Sequence, residues 1–585
     1  MTQANTREQL RQIEGKLFAG RLVSRAIFRT LRDEIRSGTL LETIQESRKH
    51  KTLAFPYEPT YAELLETRAR ENPSRPFLRF ENQRIDLLDF NRSANAVAKG
   101  LRSLGAQPGD VCAIMSGNCP EFLYSFFATQ KLGMGAVPVN TGLMGDGLTY
   151  LLDHSQARFL IVHRANLEQI FSVRKKLKHV KEIIVITEGA SDTPLPRALP
   201  RVEDFLHTYS NAPDPRVGIN PESVSLLLYT SGTTGHPKGV VYKYRDSNTR
   251  KMRLLGNLLY DKGEVLYTCL PLFHANALLL STMQSLNMGH ELALGRKFSA
   301  SRFWEEVSNL GGTTFNTLGA MIPILLKQPP GPYDRKHSVR VVVSAACPAN
   351  AWREYEDRFG VRLIEAYAAV DGGGFLTLNM GNAPVGSIGK PLGGGRYRLV
   401  AENGAEAGPN EPGELQVWKG KSRDSQVEYY RNEEATKKKT SDGWLRTGDL
   451  LTRDEKGYLY FVGRNTDSMR RRGENVSAYE VETVINKHPD VLESAVFGIP
   501  SELGEDDIMA MIVPIEGRKV DPAAVHKFLQ GKLAKYAIPR FIEVTDELPK
   551  TGTHRVQKND LRARGPSAAT WDADKAAPKR KTGAA

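Results

Sequence analysis

The residues best equipped for chemistry in this chain are 229–241, which read Tyr-Thr-Ser-Gly-Thr-Thr-Gly-His-Pro-Lys-Gly-Val-Val. Gly232 and Gly235 free the backbone to turn several N–H groups toward one anion. The hydroxyls of Thr230, Ser231, Thr233 and Thr234 add donors, and Lys238 adds a mobile positive charge. Together these groups handle phosphate. The stretch is not a Walker loop, because Pro237 stands where that motif needs glycine before its lysine.

The loop must be held by something rigid. Residues 224–229, Val-Ser-Leu-Leu-Leu-Tyr, predict a buried strand leading into it. Upstream, helical patterns alternate with short apolar runs: a helix over 61–71, a strand over 111–115, a helix over 121–132, and strands over 136–139 and 159–162. That βαβ alternation predicts an α/β fold with a parallel sheet covered by helices on both faces. At 585 residues the chain is too long for one core, so at least two domains are expected. The segment 57–220 carries no catalytic constellation and reads as scaffold with part of a substrate pocket. No stretch approaches the ~20 apolar residues of a membrane span. Cys112, Cys119, Cys269 and Cys347 show no metal spacing and suggest a reduced, cytoplasmic protein. The net charge of +13 comes without a nucleic-acid-binding motif, so small anionic ligands or an anionic membrane surface are expected instead. Residues 1–56 form an Arg-rich extension in which Leu10, Ile13 and Leu17, then Val23, Ile27, Leu31 and Ile35, keep helical spacing until Ser37-Gly38. Such a basic amphipathic helix either lies on the inner face of a membrane or docks on its own domain.

The stretch 229–241 is similar to the phosphate loop of the adenylate-forming superfamily, which comprises acyl-CoA synthetases, peptide-synthetase adenylation domains and luciferases. The resemblance covers roughly 57–565. It implies that a carboxylate attacks the α-phosphate of ATP, pyrophosphate leaves, and a thiol then displaces AMP from the acyl-adenylate. It implies that the loop and Lys238 hold pyrophosphate. Cys269-Leu-Pro-Leu-Phe-His-Ala-Asn276 resembles the family segment whose histidine, here His274, lies between nucleotide and acyl pocket. The run 339–348 predicts a strand ending in the small-residue turn Ser344-Ala345-Ala346, where the resemblance places adenine beyond a strand's carboxyl end. In Tyr367-Ala-Ala-Val370-Asp371 the family pattern is Tyr-Gly-x-Thr-Glu. Tyr367 matches and would stack on adenine. Val370 replaces a threonine that contacts the α-phosphate. Asp371 replaces the glutamate that holds Mg2+, and it still offers a hard oxygen ligand about one methylene shorter. The stretch 442–450 matches the family well and makes Asp449 the partner of the ribose hydroxyls, since a carboxylate accepts from both. Arg464 would bind ribose or phosphate, Thr466 would be the hinge, and Gly473 would meet the pantetheine arm of coenzyme A. Counted from Pro549, the position of the family's adenylating lysine is occupied by Arg555.

Gly473-Glu-Asn-Val-Ser477 looks like two branches, the fatty acid transport proteins (very-long-chain acyl-CoA synthetases) and the crotonobetaine/carnitine-CoA ligases. The resemblance implies an AMP-binding domain over 57–464 and a small mobile α+β lid over 465–565; residues 1–56 stand before it as the Arg-rich extension, and the Ala/Lys/Pro-rich residues 566–585 read as a disordered tail. The expected activity is ATP- and Mg2+-dependent ligation of a carboxylic acid, foremost a medium- to very-long-chain fatty acid, to coenzyme A. The alternatives are a carnitine/crotonobetaine-type ligase and a nucleotide- or acyl-CoA-binding homologue that has lost adenylation, suggested by Val370, Asp371 and Arg555. Oligomeric state and acyl chain length are not readable from these residues.

Overall fold

The computed structural model describes residues 3–50, 58–188, 199–230, 237–319, 321–372, 374–392, 396–420, 427–464, 468–471, 474–501, 506–533, 535–550 and 556–576. Two large sheets dominate. In one, the strands Glu182–Ile186, Phe159–His163, Val111–Met115, Gly135–Pro138 and Val224–Thr230 run parallel, and Lys238–Lys243 closes the edge antiparallel to Val224–Thr230. Val111–Met115 is buried along its whole length. Its alternate residues serve two cores: Cys112 and Ile114 face one, Val111, Ala113 and Met115 the other. Burial on both faces is what a parallel sheet between helix layers requires.

The second sheet has nine described strands, with Val265–Thr268, Thr314–Leu318, Val341–Ala345 and Arg362–Ala369 parallel at its centre. One face, through Tyr267, Phe315, Val342 and Leu363, shares a core with the first sheet and the helices Leu87–Ser103 and Pro120–Lys131. The opposite face, through Leu266, Val341, Val343, Ile364 and Ala366, is covered by helix Thr249–Leu259 and by the N-terminal helix.

That N-terminal helix, α1, spans Gln3–Ser37 and ends before Gly38, whose φ of 71° only glycine adopts readily. A second helix, α2, spans Leu40–His50. α1 docks on its own domain through Ala19, Leu22 and Ala26, which are buried. Gly15 allows a close approach, because a Cβ there would meet the Gly381 carbonyl oxygen at 1.8 Å. Ion pairs tie the same side down: Arg11 with Asp357 at 2.6 Å, Arg253 with Asp33 at 3.3 Å, and Arg25 with Asp261 and Arg250 with Glu34 at close range. The docking face is therefore the one rich in Ala, Gly and Arg. Leu17, Val23, Ile27, Leu31 and Ile35, the residues that mark the helix in the sequence, are exposed. No helix among the described residues is long and apolar enough to cross a membrane.

A smaller antiparallel sheet, with Gly413–Trp418, Trp444–Arg453 and Leu459–Arg464, follows the nine-stranded one. The chain then forms the hairpin Ser468–Arg471/Glu474–Ser477 and a four-stranded sheet whose long strands are Val491–Pro500 and Asp506–Pro514. The tail corrects an expectation. Residues 566–576, expected to be disordered, include strand Trp571–Asp572, which pairs with Phe541–Val544. Asp572 holds Arg540 at 3.1 Å, and Glu543 accepts from Ser567 at 2.9 Å. A two-residue strand anchored by one tryptophan leaves no periodic signal in an Ala/Lys-rich stretch.

Candidate active site

Three strand ends and one loop segment gather the site. Strand Val341–Ala345 ends in a turn at Ala346, whose φ of 67° is a left-handed conformation that a non-glycine residue adopts at a cost. Two features hold the turn. Glu365, on the neighbouring strand, accepts from the Ala346 N–H at 2.5 Å and from the Cys347 N–H at 3.2 Å. On the other side Gly319 leaves room, since a Cβ there would meet the Ala346 carbonyl oxygen at 1.9 Å. Burial pushes the Glu365 carboxyl up to about 8, and the two backbone donors oppose that only in part.

Strand Arg362–Ala369 carries Tyr367 beside a register shift between Tyr367 and Ala368, a bulge of the kind that re-aims side chains at sites. Tyr367 packs among Ile388, Leu399 and Leu459, and its hydroxyl donates to Asp449 Oδ2 at 2.5 Å. Asp449 itself is buried. It lies directly opposite Arg464 in the antiparallel pair Trp444–Arg453/Leu459–Arg464, and Arg464 Nε reaches its Oδ1 at 3.0 Å. Tyr367, Asp449 and Arg464 thus form one cluster, with both carboxylate oxygens engaged.

A second cluster surrounds Asp371. Its Oδ2 accepts from the Tyr429 hydroxyl at 2.6 Å and pairs with Lys439 Nζ at 2.9 Å. Burial alone would raise this carboxyl, but Lys439 and Tyr429 outweigh it and hold the group below the usual aspartate value. Lys238, at the start of Lys238–Lys243, places its Nζ 5.3 Å from the centre of the Tyr429 ring. Tyr429 therefore joins Lys238 to Asp371. Val370 enters through its carbonyl, which accepts from the Tyr242 hydroxyl at 3.0 Å. Thr230 is the register partner of Lys238.

His274 opens the π-helical segment Asn276–Met283, which packs against strand Thr314–Leu318, whose last residue pairs with Ala345. π-Helical turns concentrate at functional sites. His274 Nε2 and Asn276 Oδ1 are buried without a hydrogen-bond partner among the described residues. Burial holds the His274 imidazole down to about 4, so it is neutral at pH 7.

Residues 65–421 match the family model described as AMP-binding enzyme, and residues 480–555 match the one described as AMP-binding enzyme C-terminal domain. The chain belongs to the AMP-binding enzyme family. Its relatives include the crotonobetaine/carnitine–CoA ligase of Proteus mirabilis, 28% identical over 487 residues, which are 81% of this chain and 92% of that protein. The ligase of the same name from Salmonella typhimurium is 29% identical over 495 residues, with the same two shares of 81% and 92%. The anthranilate CoA ligase AuaEII, solved with anthranoyl-AMP, superposes with a TM-score of 0.77 at 26% identity, over 87% of this chain and 98% of that one. The o-succinylbenzoate CoA synthetase MenE of Bacillus subtilis, solved with ATP and a magnesium ion, gives 0.71 at 26% identity, over 86% and 99%. The chain is an AMP-forming acid–thiol ligase that works through an acyl-adenylate, and ATP, Mg2+ and coenzyme A are the cofactors of its family. The α/β architecture with a large and a small domain agrees with these structures.

The side chains present suit these groups. The orphaned His274 Nε2 and Asn276 Oδ1 offer polar atoms to a bound molecule. The contacts of Asp371 with Tyr429 and Lys439 both fall on Oδ2. No set of three or more His, Cys, Asp or Glu side chains among the described residues is arranged to hold a metal. Ser231, Gly232, Thr233, Thr234, Gly235, Thr466, Gly473 and Arg555 lie outside the described residues. Sequence reasoning missed Glu365, Tyr429 and Lys439. Glu365 stands two residues before Tyr367 and its carboxylate in a strand was a visible anomaly; Tyr429 and Lys439 carried no local signal.

Proposed function

We propose that the chain ligates a medium- to very-long-chain fatty acid to coenzyme A, releasing AMP and pyrophosphate. The carrying observation is the segment after His274. Residues 276–283, Asn-Ala-Leu-Leu-Leu-Ser-Thr-Met, and the facing strand Thr314–Leu318, Thr-Phe-Asn-Thr-Leu, contain no charged residue. An aliphatic chain loses nothing there, whereas a quaternary ammonium would find no carboxylate from either segment. In this reading Lys238, Thr230 and the Ser231–Gly235 loop hold pyrophosphate, and Asp371 supports Mg2+. Ala345, Ala346 and Tyr367 receive adenine, with Val370 beside the α-phosphate. Asp449 takes the ribose hydroxyls with Arg464 beside it. Neutral His274 separates nucleotide from acyl chain, Gly473 meets pantetheine, and Arg555 bridges carboxylate and α-phosphate. The protein's work is positioning and charge stabilisation of an in-line transfer. The hinge at Thr466 would let a lid over 465–565 serve both half-reactions. The four buried, unpaired cysteines support a reducing, cytoplasmic setting.

Two other readings have support. The names of the relatives favour a crotonobetaine- or carnitine-type acid. The pairing of Asp371 with Lys439 favours a homologue weak in adenylation, because a lysine at 2.9 Å competes with Mg2+ for the same carboxylate. A panel of acids scored for CoA thioester and for pyrophosphate release separates all three. Thioester from fatty acids and none from crotonobetaine supports the proposal; the reverse pattern overturns it. Nucleotide binding by calorimetry without pyrophosphate release from any acid selects the third reading.

A further inference from the structure

The large apolar side chains left exposed among the described residues concentrate on the first two helices. All but Met144 and Leu392 lie between Leu17 and Ile44. On α1 they include Leu17, Ile27, Phe28, Leu31 and Ile35, with Phe28 at 68% exposure; Leu41 of α2 stands at 72%. At 100° per residue the five on α1 share one side, opposite Ala19, Leu22 and Ala26, which dock on the domain. From Leu17 to Ile35 the stripe runs about 27 Å. Exposed patches of this size and polar border mark interaction sites.

We propose that this face seats the enzyme on an anionic phospholipid bilayer, with α1 lying in the plane of the interface. Three observations favour lipid over a protein partner. Lys16, Arg21, Arg36 and Arg48 are exposed along the two helices, against Glu14 and Glu42, so the border of the stripe is basic, as is the whole chain at +13. Bases beside an apolar stripe complement anionic headgroups. The stripe is also interrupted where Gly20 and Ser24 fall between Leu17 and Ile27, and a Cβ on Gly20 would meet nothing within 4 Å. A second helix packs by knobs every three or four residues and would face a gap there, whereas acyl chains conform to it. Finally, α1 is already fixed to the domain through its other side by Arg11, Arg25 and the buried Leu22. The helix thus loses little conformational freedom on binding. Docking on the domain and lying on a membrane are not rivals here, because they use opposite sides of one helix.

The test is cosedimentation of the full chain with vesicles of phosphatidylserine and phosphatidylcholine in equal parts, beside vesicles of phosphatidylcholine alone. Three proteins are compared: the parent, the double variant Phe28→Glu/Leu31→Glu, and the double variant Arg21→Glu/Arg36→Glu. Circular dichroism and the elution volume of each are recorded. The four side chains are exposed, so all three proteins are expected to fold alike. The parent should pellet with the anionic vesicles, less so as salt rises, and either double variant should lower the partition about tenfold or more. A parent that stays in the supernatant at low salt as a monomer overturns the proposal. So does one that stays there as a dimer split by Phe28→Glu/Leu31→Glu, because the face is then an interface between copies. Equal pelleting of parent and both variants also overturns it, since the binding surface then lies elsewhere.

Discussion

Asp449 is the residue on which most of the site's polar geometry converges. Arg464 holds one of its oxygens and Tyr367 the other, so the carboxylate is aimed before any ligand arrives. Hydrogen bonds to a charged group are worth ~1.5–3 kcal/mol each, so Asp449→Ala should cost at least about tenfold in AMP affinity by calorimetry. Tyr367→Phe removes one aiming contact and keeps the ring, so its loss should be smaller. Unchanged AMP binding in Asp449→Ala would place the nucleotide elsewhere. Glu365 makes a different prediction, about pH. Its folded value of about 8 lies above the ordinary glutamate value, chiefly through burial. Between about 4.5 and 8 the folded state then binds more protons at this group than the unfolded state, so this contribution to stability falls as pH rises. Glu365→Gln keeps an acceptor for the Ala346 N–H and cannot ionise. Thermal unfolding from pH 5 to pH 9 should therefore show the parent losing ground to Glu365→Gln as pH rises. Parallel curves would mean that the carboxyl is already ionised at the lower pH.

At the scale of elements, α1 separates what a sequence tells from what it does not. Leu22 is buried against Tyr260, Leu266 and Val341, while Leu31 faces outward. Leu22→Glu puts an unpaired carboxylate into that contact and should cost several kcal/mol, seen as a lower melting midpoint or loss of soluble protein. Leu31→Glu should change the midpoint little. Equal effects would mean that α1 is docked the other way round. The existence of α1 and its stop at Gly38 were legible, because 3.6-residue spacing and a glycine stop are local signals. Its docking side was not. That side is chosen by Asp261, Asp357 and Arg250, more than two hundred residues away, and by glycine and alanine positions that carry little hydropathy. The same division runs through the site. The strands before the phosphate loop and the turn at Ala346 stood out as apolar runs ending in small residues. Lys439 pairing with Asp371 depended on a fold that brings a Lys-rich helix end under residue 371.

At the scale of the whole molecule, the proposed mechanism asks one cation to serve the first half-reaction and the small domain to move for the second. Among the described residues the small domain meets the large one through Lys327 Nζ, which donates to the Leu492 carbonyl at 2.6 Å, through Ser477, which donates to the Val462 carbonyl at 2.7 Å, and through the rings of Tyr479 and Phe461, 5.7 Å apart. Counted from Pro549, Arg555 falls where the resemblance puts the adenylating lysine, and Lys550 and Lys558 are the other candidates. Both are engaged: Lys550 Nζ pairs with Glu493 at 2.5 Å and Lys558 Nζ with Glu482 at 2.7 Å, each inside the small domain. Moving either into the site would break an ion pair inside the small domain, so Arg555 is the cation expected to act. Its planar fork can grip a carboxylate and a phosphate together but cannot occupy the position of a lysine's compact charge. Adenylation should then be the slow half-reaction, and thioester formation from a synthetic acyl-adenylate and coenzyme A should outrun synthesis from acid and ATP. Arg555→Lys should raise pyrophosphate release, and Arg555→Ala should lower it about tenfold or more, while both spare the thioester step. Lys550→Ala and Lys558→Ala should leave pyrophosphate release near the parent rate. If Arg555→Ala forms acyl-adenylate as fast as the parent and Lys550→Ala or Lys558→Ala does not, the acting cation is that lysine, and the two ion pairs must open in the adenylating state.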